Sequence, residues 1–272
     1  MPTNASQIIA ANELETRLRK NQLGNLIANR NYEGEITGPE DTVKILTPNA
    51  ASVNDHTGPK VTIETNVGAS VQSMVMDHAK DFGFVLDSAE NLAGRILQFA
   101  DETFNEVLEQ ADKFILTNAA DADLTFDFDA TVATPDLDEL FGRARQELDD
   151  EGVPNAQRFA VVPPSISRLV YKDLTDRDTD RGDDALNTGL VGRYYGFVVY
   201  DRPESFFSTS GTGEIQSMFG SRFYQTYGDA VVSLVVKEEP DEYTGPLVRG
   251  LHVAGSTLTQ PKGFVNAEIT TA

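Results

Sequence analysis

Cysteine is absent from the 272 residues. That removes disulfides, a thiol nucleophile and Cys-ligated zinc. Cations are scarce: Lys and Arg number 22 against 43 Asp and Glu, a formal net charge of −21. A protein that coats duplex nucleic acid needs cations to displace counterions from phosphates, so this balance argues against such a role. Histidine occurs only as His56, His78 and His252. The three lie far apart in sequence with no paired ligand spacing, so each is read as a strand or surface residue. No apolar run approaches the roughly 18 residues of a membrane span. The opening MPTNASQIIAANELETRLRK lacks the basic-then-apolar order of a secretion signal. The expectation is a protein made and used in solution.

Chemical motifs are missing as well. The stretch NTGLVGRYYGFVVYDRP (187–203) places Gly189, Gly192 and Gly196 close together. A Walker loop needs G-x-x-x-x-G-K-[ST], and a dinucleotide loop needs G-x-G-x-x-G between a strand and a helix. Here the spacing is G-x-x-G-x-x-x-G, no Lys follows, and a strand stands where a helix is required. The glycines are read as tight backbone ahead of a strand of bulky residues. No G-x-S-x-G elbow is present. Acidic residues are so frequent that no carboxylate dyad stands out. No catalytic, cofactor-binding or metal-binding residue is assigned, and no cofactor is expected.

What is abundant is acid, and among the cations Arg outnumbers Lys. Such a surface suits high salt, where the screening length falls to about 3 Å at 1 M and self-repulsion is damped. Asp176, Asp178, Asp180 and Asp184 fall at calcium-loop positions one, three, five and nine. The loop glycine comes one place late, at Gly182, and Asn187 replaces the bidentate Glu. A solvated acidic loop is the simpler reading of 176–187. DADLTFDFD (121–129) is a weaker candidate still.

The hydrophobic pattern divides the chain. Residues 7–30 read as a helical arm whose stripe of Ile8, Ile9, Leu14, Leu18, Leu23, Leu26 and Ile27 has no partner nearby in sequence. It must pack on something distant or on another subunit. DTVKIL (41–46) and KVTIET (60–65) alternate like exposed strands, joined by a polar turn. Such a ribbon is marginal alone and must lie against something. DSAENLAGRILQFADETFNEVLEQADKFILTNAAD (87–121) is the strongest helical signal, with a capping box at Asp87 and Glu90. Some 30 helical residues span roughly 45 Å.

TPDLDELFGRARQELDDEG (134–152) predicts a second helix, capped by Thr134, with Pro135 at the first helical position and Gly152 at its end. QRFAVV (157–162) predicts a strand and PPSISRLVYKDL (163–174) a short helix. YGFVVY, AVVSLVVKE, RGLHVAG and KGFVNAEI predict four further strands.

An arm, a ribbon, a spine helix, a mixed α/β unit and closing strands, in that order, resemble the major capsid proteins of tailed phages and archaeal tailed viruses, the Hong Kong 97-type fold. NRNYEGEI (29–36) followed by DTVKI looks like the end of the family's N-arm and the start of its extended loop. MDHAKDFGFVLDSAENLAG resembles the stretch before the spine helix, with Asp77, Lys80, Phe84 and Asp87 at matching places. GLVGRYYGFVVYDRP resembles the segment leading into a strand of the axial domain, although Arg202-Pro203 departs from the usual Ser-Asn. LHVAGSTLTQPKGFV resembles the closing strands, with Ala254 where an aromatic is common.

The resemblance implies an α+β fold with an N-terminal arm (1–38), an extended E-loop (39–76), a P-domain with the spine helix (77–133), an A-domain (134–224) and closing strands (225–272). It implies a non-enzymatic subunit, from a halophilic host given the acidity. That subunit would self-assemble into pentamers and hexamers of an icosahedral head enclosing double-stranded DNA, in the virion after assembly in the host cytoplasm. The implied partners are other copies, a portal, a separate scaffolding protein and cement or turret proteins, with no membrane and no sequence-specific DNA contact. Members that crosslink use a loop Lys and a neighbour's Asn. Lys44 and Lys60 are present, but no crosslink is expected on that ground. The alternative is an acidic, calcium-binding surface or binding module without catalytic activity.

Overall fold

The computed structural model describes residues 22–31, 38–48, 55, 68–85, 96–132, 135–176, 192–237 and 247–271. The helices are α1 Leu23–Ile27, α2 Ile96–Thr117, α3 Arg143–Asp150 and α4 Pro164–Asp176. The strands are β1 Thr42–Pro48, β2 Ala69–Val75, β3 His78–Val85, β4 Leu124–Asp129, β5 Arg158–Val162, β6 Arg193–Tyr194, β7 Phe197–Asp201, β8 Ile215–Ser221, β9 Gln225–Lys237, β10 Leu247–Leu258 and β11 Phe264–Thr270.

A six-stranded mixed sheet runs β4-β11-β8-β5-β7-β6. β4 is parallel to β11 and β5 to β7, while β8 runs against both of its neighbours. β5 and β8 are buried at every residue. A strand covered on both faces reads as a continuous apolar run, and FAVV of β5 does. Phe141, just ahead of α3, meets Phe219 and Tyr194 edge-on at 5.3 and 4.9 Å. Leu140, Ala144 and Leu148 from the same segment, and Ile166 and Val170 of α4, join this core.

A second sheet, three-stranded and antiparallel, runs β3-β10-β9. α2 packs on it through Phe104 and Val107, with Phe104 edge-on to Phe82 at 5.1 Å. The β9–β10 register shifts between Leu251 and His252, so Val232 is an extra residue in β9. The two-stranded ribbon β1-β2 puts Val43, Ile45, Met74 and Met76 against Val253 of β10.

Most expected elements are present, with corrections at their ends and partners. The partner of β1 is β2, in register from Thr42↔Val75 to Pro48↔Ala69. KVTIET lies outside the described residues, and ASVQSMV escaped notice because Ser and Gln dilute its alternation. The spine is α-helical over Ile96–Thr117, roughly 33 Å long, and ends in a 3-10 turn, Asn118–Asp121. Its predicted start, with the Asp87–Glu90 box, lies outside the described residues.

The second helix begins at Leu137 rather than at Pro135. Asp136 supplies the cap, its Oδ1 accepting from the Asp138 N–H at 2.9 Å. A π-helical turn, Asp138–Gly142, precedes α3. Thr134 lies outside the described residues, and Gly152, at φ 71°, closes the helix as expected.

The glycine-rich stretch resolves into a hairpin. Arg193 pairs with Val198 and Tyr194 with Phe197, which leaves Tyr195 and Gly196 as a two-residue turn. Both have positive φ, 50° and 93°. That is the turn whose twist matches a strand pair, and its second residue favours glycine. Gly189 lies outside the described residues.

Candidate functional site

The arm's last residues are fastened to the body by a buried polar junction. Leu23 and Ile27 are fully buried, and Gly24 lies so close to the Tyr227 ring that a Cβ there would come within 2.7 Å of it. The peptide beyond α1 continues the contact: the Asn29 N–H donates to the Gln225 carbonyl at 2.8 Å and the Tyr227 N–H to the Asn29 carbonyl at 3.0 Å. The stripe that lacked a nearby partner therefore finds one, over 22–30, in distant parts of its own chain. Residues 1–21 lie outside the described residues.

Two buried carboxylates hold this junction. Asp229, on β9, accepts from Gln22 Nε2 at 3.1 Å, from His252 Nε2 at 3.2 Å and from Arg30 Nη2. Burial pushes its carboxyl up, but the hydrogen bond from His252, the Arg30 charge and Gln22 outweigh that and hold it below the usual range. An ionised carboxylate only accepts, so the His252 proton sits on Nε2. His252 Nδ1 is buried without a hydrogen-bond partner among the described residues. Gln22 Nε2 also donates to the Tyr227 hydroxyl at 2.6 Å.

Asp112, on α2, accepts from the Leu23 N–H at 2.8 Å through Oδ1 and from Arg202 Nε at 3.3 Å through Oδ2. Burial pushes its carboxyl up to about 6, against the pull of those two donors. The arm end, the spine and the segment after β7 thus meet at one side chain.

Other predicted positions are dispersed. His78 is half-buried and stacked on Phe114, with ring centroids 4.6 Å apart. Burial, helped by Lys80 and His252, lowers its pKa to about 4. Lys44 is exposed on β1, while His56 and Lys60 lie outside the described residues. So does the acidic loop after Asp176, 177–187. DADLTFDFD contains β4, with Phe126 and Phe128 facing the core. Its Asp127 meets Glu214 and Glu268, with carboxylate oxygens within 4.8 Å of one another. Thr212 and Ser210 donate to Glu214 Oε2 and Thr270 to Oε1, and Gln216 donates to Glu268, which offsets their mutual repulsion.

The outer face of the ribbon carries exposed Leu46 and Val71, paired across the strands, and exposed Val75. Leu46 and the exposed Phe223 line a cavity of about 210 Å³ between the ribbon and the turn at Arg222–Tyr224. The junction was missed in the sequence. Its one visible signal was Arg202, which stood out as a departure from a pattern.

No family model matches the sequence, and no curated protein does. Solved structures do match. A chain of Mycobacterium phage Che8 is 20% identical with a TM-score of 0.68, over 90% of each chain. A chain of the capsid of cyanophage P-SCSP1u is 14% identical with a TM-score of 0.65, over 93% of this chain and 90% of that one. A chain of the mature capsid of bacteriophage PhiM1 is 13% identical with a TM-score of 0.64, over 93% and 88%. At these identities the likeness is one of fold, and it spans nearly the full length on both sides. The chain has the α+β fold of phage capsid proteins.

Proposed function

We propose that this chain is the major capsid protein of a tailed virus, a non-enzymatic subunit that assembles into the pentamers and hexamers of an icosahedral head around double-stranded DNA. The observation that carries the reading is the whole-chain likeness to capsid chains, with about nine-tenths of each chain covered. The ribbon supports it, since an apolar outer face suits a subunit that is covered on assembly. On this reading residues 1–38 form an N-arm, 39–76 an E-loop, 77–133 a P-domain with the spine, 134–224 an A-domain and 225–272 the closing strands of the Hong Kong 97-type plan.

The net charge of −21 suits a wall that encloses DNA without adhering to it, and suits a halophilic host. A portal, a separate scaffolding protein and cement or turret proteins complete the expected set of partners. Negative-stain microscopy of the purified protein in molar salt tests the reading. Closed shells or capsomer rings are expected, and a preparation of small monomers at all concentrations contradicts it.

A further inference from the structure

Two histidines that no sequence spacing brings together stand on one face of the three-stranded sheet. β3 and β10 run antiparallel, with His78 opposite Ala254 and His252 opposite Lys80. Residues two apart on a strand share a face, so His78 and His252 are diagonal neighbours. Across such a diagonal, aromatic and long side chains are within reach of each other. His252 is 1% exposed, and the His78 ring is stacked on Phe114 of α2.

Each ring has a nitrogen with nothing to bind. His78 Nε2 and His252 Nδ1 are both buried and lack a hydrogen-bond partner among the described residues. Buried polar atoms are nearly always paired, so two such atoms on neighbouring rings call for a ligand. Both nitrogens offer lone pairs. His252 donates its Nε2 proton to Asp229, which leaves Nδ1 as an acceptor. His78 is kept neutral by burial, Lys80 and His252, which lower its pKa to about 4. A histidine whose other nitrogen donates to a carboxylate is oriented, and made more basic, for a metal ion. A hydrogen-bonded water needs about 2.9 Å from the nitrogen, whereas a transition ion sits at about 2.0–2.1 Å. An ion therefore suits nitrogens that solvent does not reach.

We propose that His78 Nε2 and His252 Nδ1 bind one late first-row transition-metal ion, zinc or copper, as a clamp between β3 and β10. Neutral imidazoles favour such ions over magnesium and calcium, which take oxygen ligands. Asp229, behind His252, and Asp77 lend the site negative charge, while Lys80 and Arg30 oppose it. With two protein ligands, the affinity is expected to fall well below that of a four-ligand structural site. The site does not depend on the capsid reading, which its failure would leave untouched.

The test titrates zinc into the chelator-stripped full chain in millimolar magnesium. Magnesium occupies carboxylate groups such as Asp127, Glu214 and Glu268, the other place where an ion could settle. Calorimetry reads the stoichiometry, and imidazole nitrogen resonances read each ring. One ion per chain is expected, with the His78 and His252 signals shifting together and that of His56 unchanged. His78→Phe, which keeps a ring to stack on Phe114, should weaken binding at least about tenfold and abolish the rise in Tm that zinc gives the wild type. Asp127→Asn/Glu214→Gln should change neither. No binding up to millimolar zinc, or a shift confined to one ring, overturns the proposal. Binding that survives His78→Phe and is lost in Asp127→Asn/Glu214→Gln also overturns it, by giving the ion to the acidic group. The wild-type ring signals decide the matter even where a variant fails to fold.

Discussion

Arg202 Nε lies 3.3 Å from Asp112 Oδ2, joining the segment after β7 to the spine helix. The same carboxylate accepts the Leu23 N–H of the arm end, so three distant stretches of chain share one buried charge. Its energetics are legible through protons.

Between pH 6.5 and 4, Asp112 and His78 should pull stability in opposite directions. Asp112 is raised to about 6, so its contribution is fully present below pH 3.8 and lost as pH rises through 6. His78 is lowered to about 4, so its contribution is present above pH 6.5 and lost as pH falls towards 4. Asp112→Asn should therefore leave a chain that loses stability on acidification from pH 6.5 to 4. His78→Phe should leave one that gains it, by on the order of 2 kcal/mol. Denaturant unfolding of each variant across that range measures both slopes, and parallel slopes would contradict the assignment.

Gly24→Ala should loosen the arm end. The added methyl would meet Tyr227 Cδ1 at 2.7 Å, in a site where both partners are buried. Overpacking of this kind costs roughly 1–3 kcal/mol. Hydrogen exchange should show residues 22–31 exchanging faster in the variant, with the six-stranded sheet unchanged.

The junction shows why part of this molecule could be read from the sequence and part could not. α2, α4, β5, β7, β9, β10 and β11 announce themselves, because burial on one or both faces imposes a period on the sequence. β3 and β8 do not: HAKDFGFV and IQSMFGS interleave charged, hydroxyl and glycine residues with aromatics, whereas LTFDFD of β4 alternates strictly and its acids mask a half-buried strand. β2 hid in the same way, and its pairing with β1 is a long-range fact that no local window contains. Asp112, Asp229 and His252 carry no sequence signal, since one buried acid among 43 looks like the rest. The order of elements was legible, because each long element carries its own period.

The two faces of the ribbon should respond differently to substitution. Met74 is fully buried among Val43, Ile45 and Val253, so Met74→Ala should lower stability by roughly 2–5 kcal/mol or release the ribbon from the body. Leu46→Glu and Val71→Glu alter exposed side chains and should change subunit stability by less than about 0.5 kcal/mol. On the capsid reading they nevertheless block assembly. Melting of isolated subunits beside light scattering of assembling ones separates the two effects.

Salt should govern assembly. Like charges of −21 per copy repel across whole interfaces when the screening length is about 30 Å at 0.01 M, and only at contact when it is about 3 Å at 1 M. Salt excluded from the surface also strengthens apolar burial. Particles should stay intact in molar NaCl and swell or dissociate on dilution, as followed by light scattering. Particles that persist at 10 mM salt in chelator would remove the main support for a halophilic host.

On the capsid reading, many copies of this fold close into one shell. Cryo-electron microscopy of the particles formed by the purified chain decides it. Icosahedral shells are expected whose five-fold and six-fold rings each fit the six-stranded sheet, the spine helix and the ribbon, with Leu46 and Val71 covered by a neighbouring copy. Particles without icosahedral order, or shells in which that face of the ribbon stays open to solvent, would contradict it.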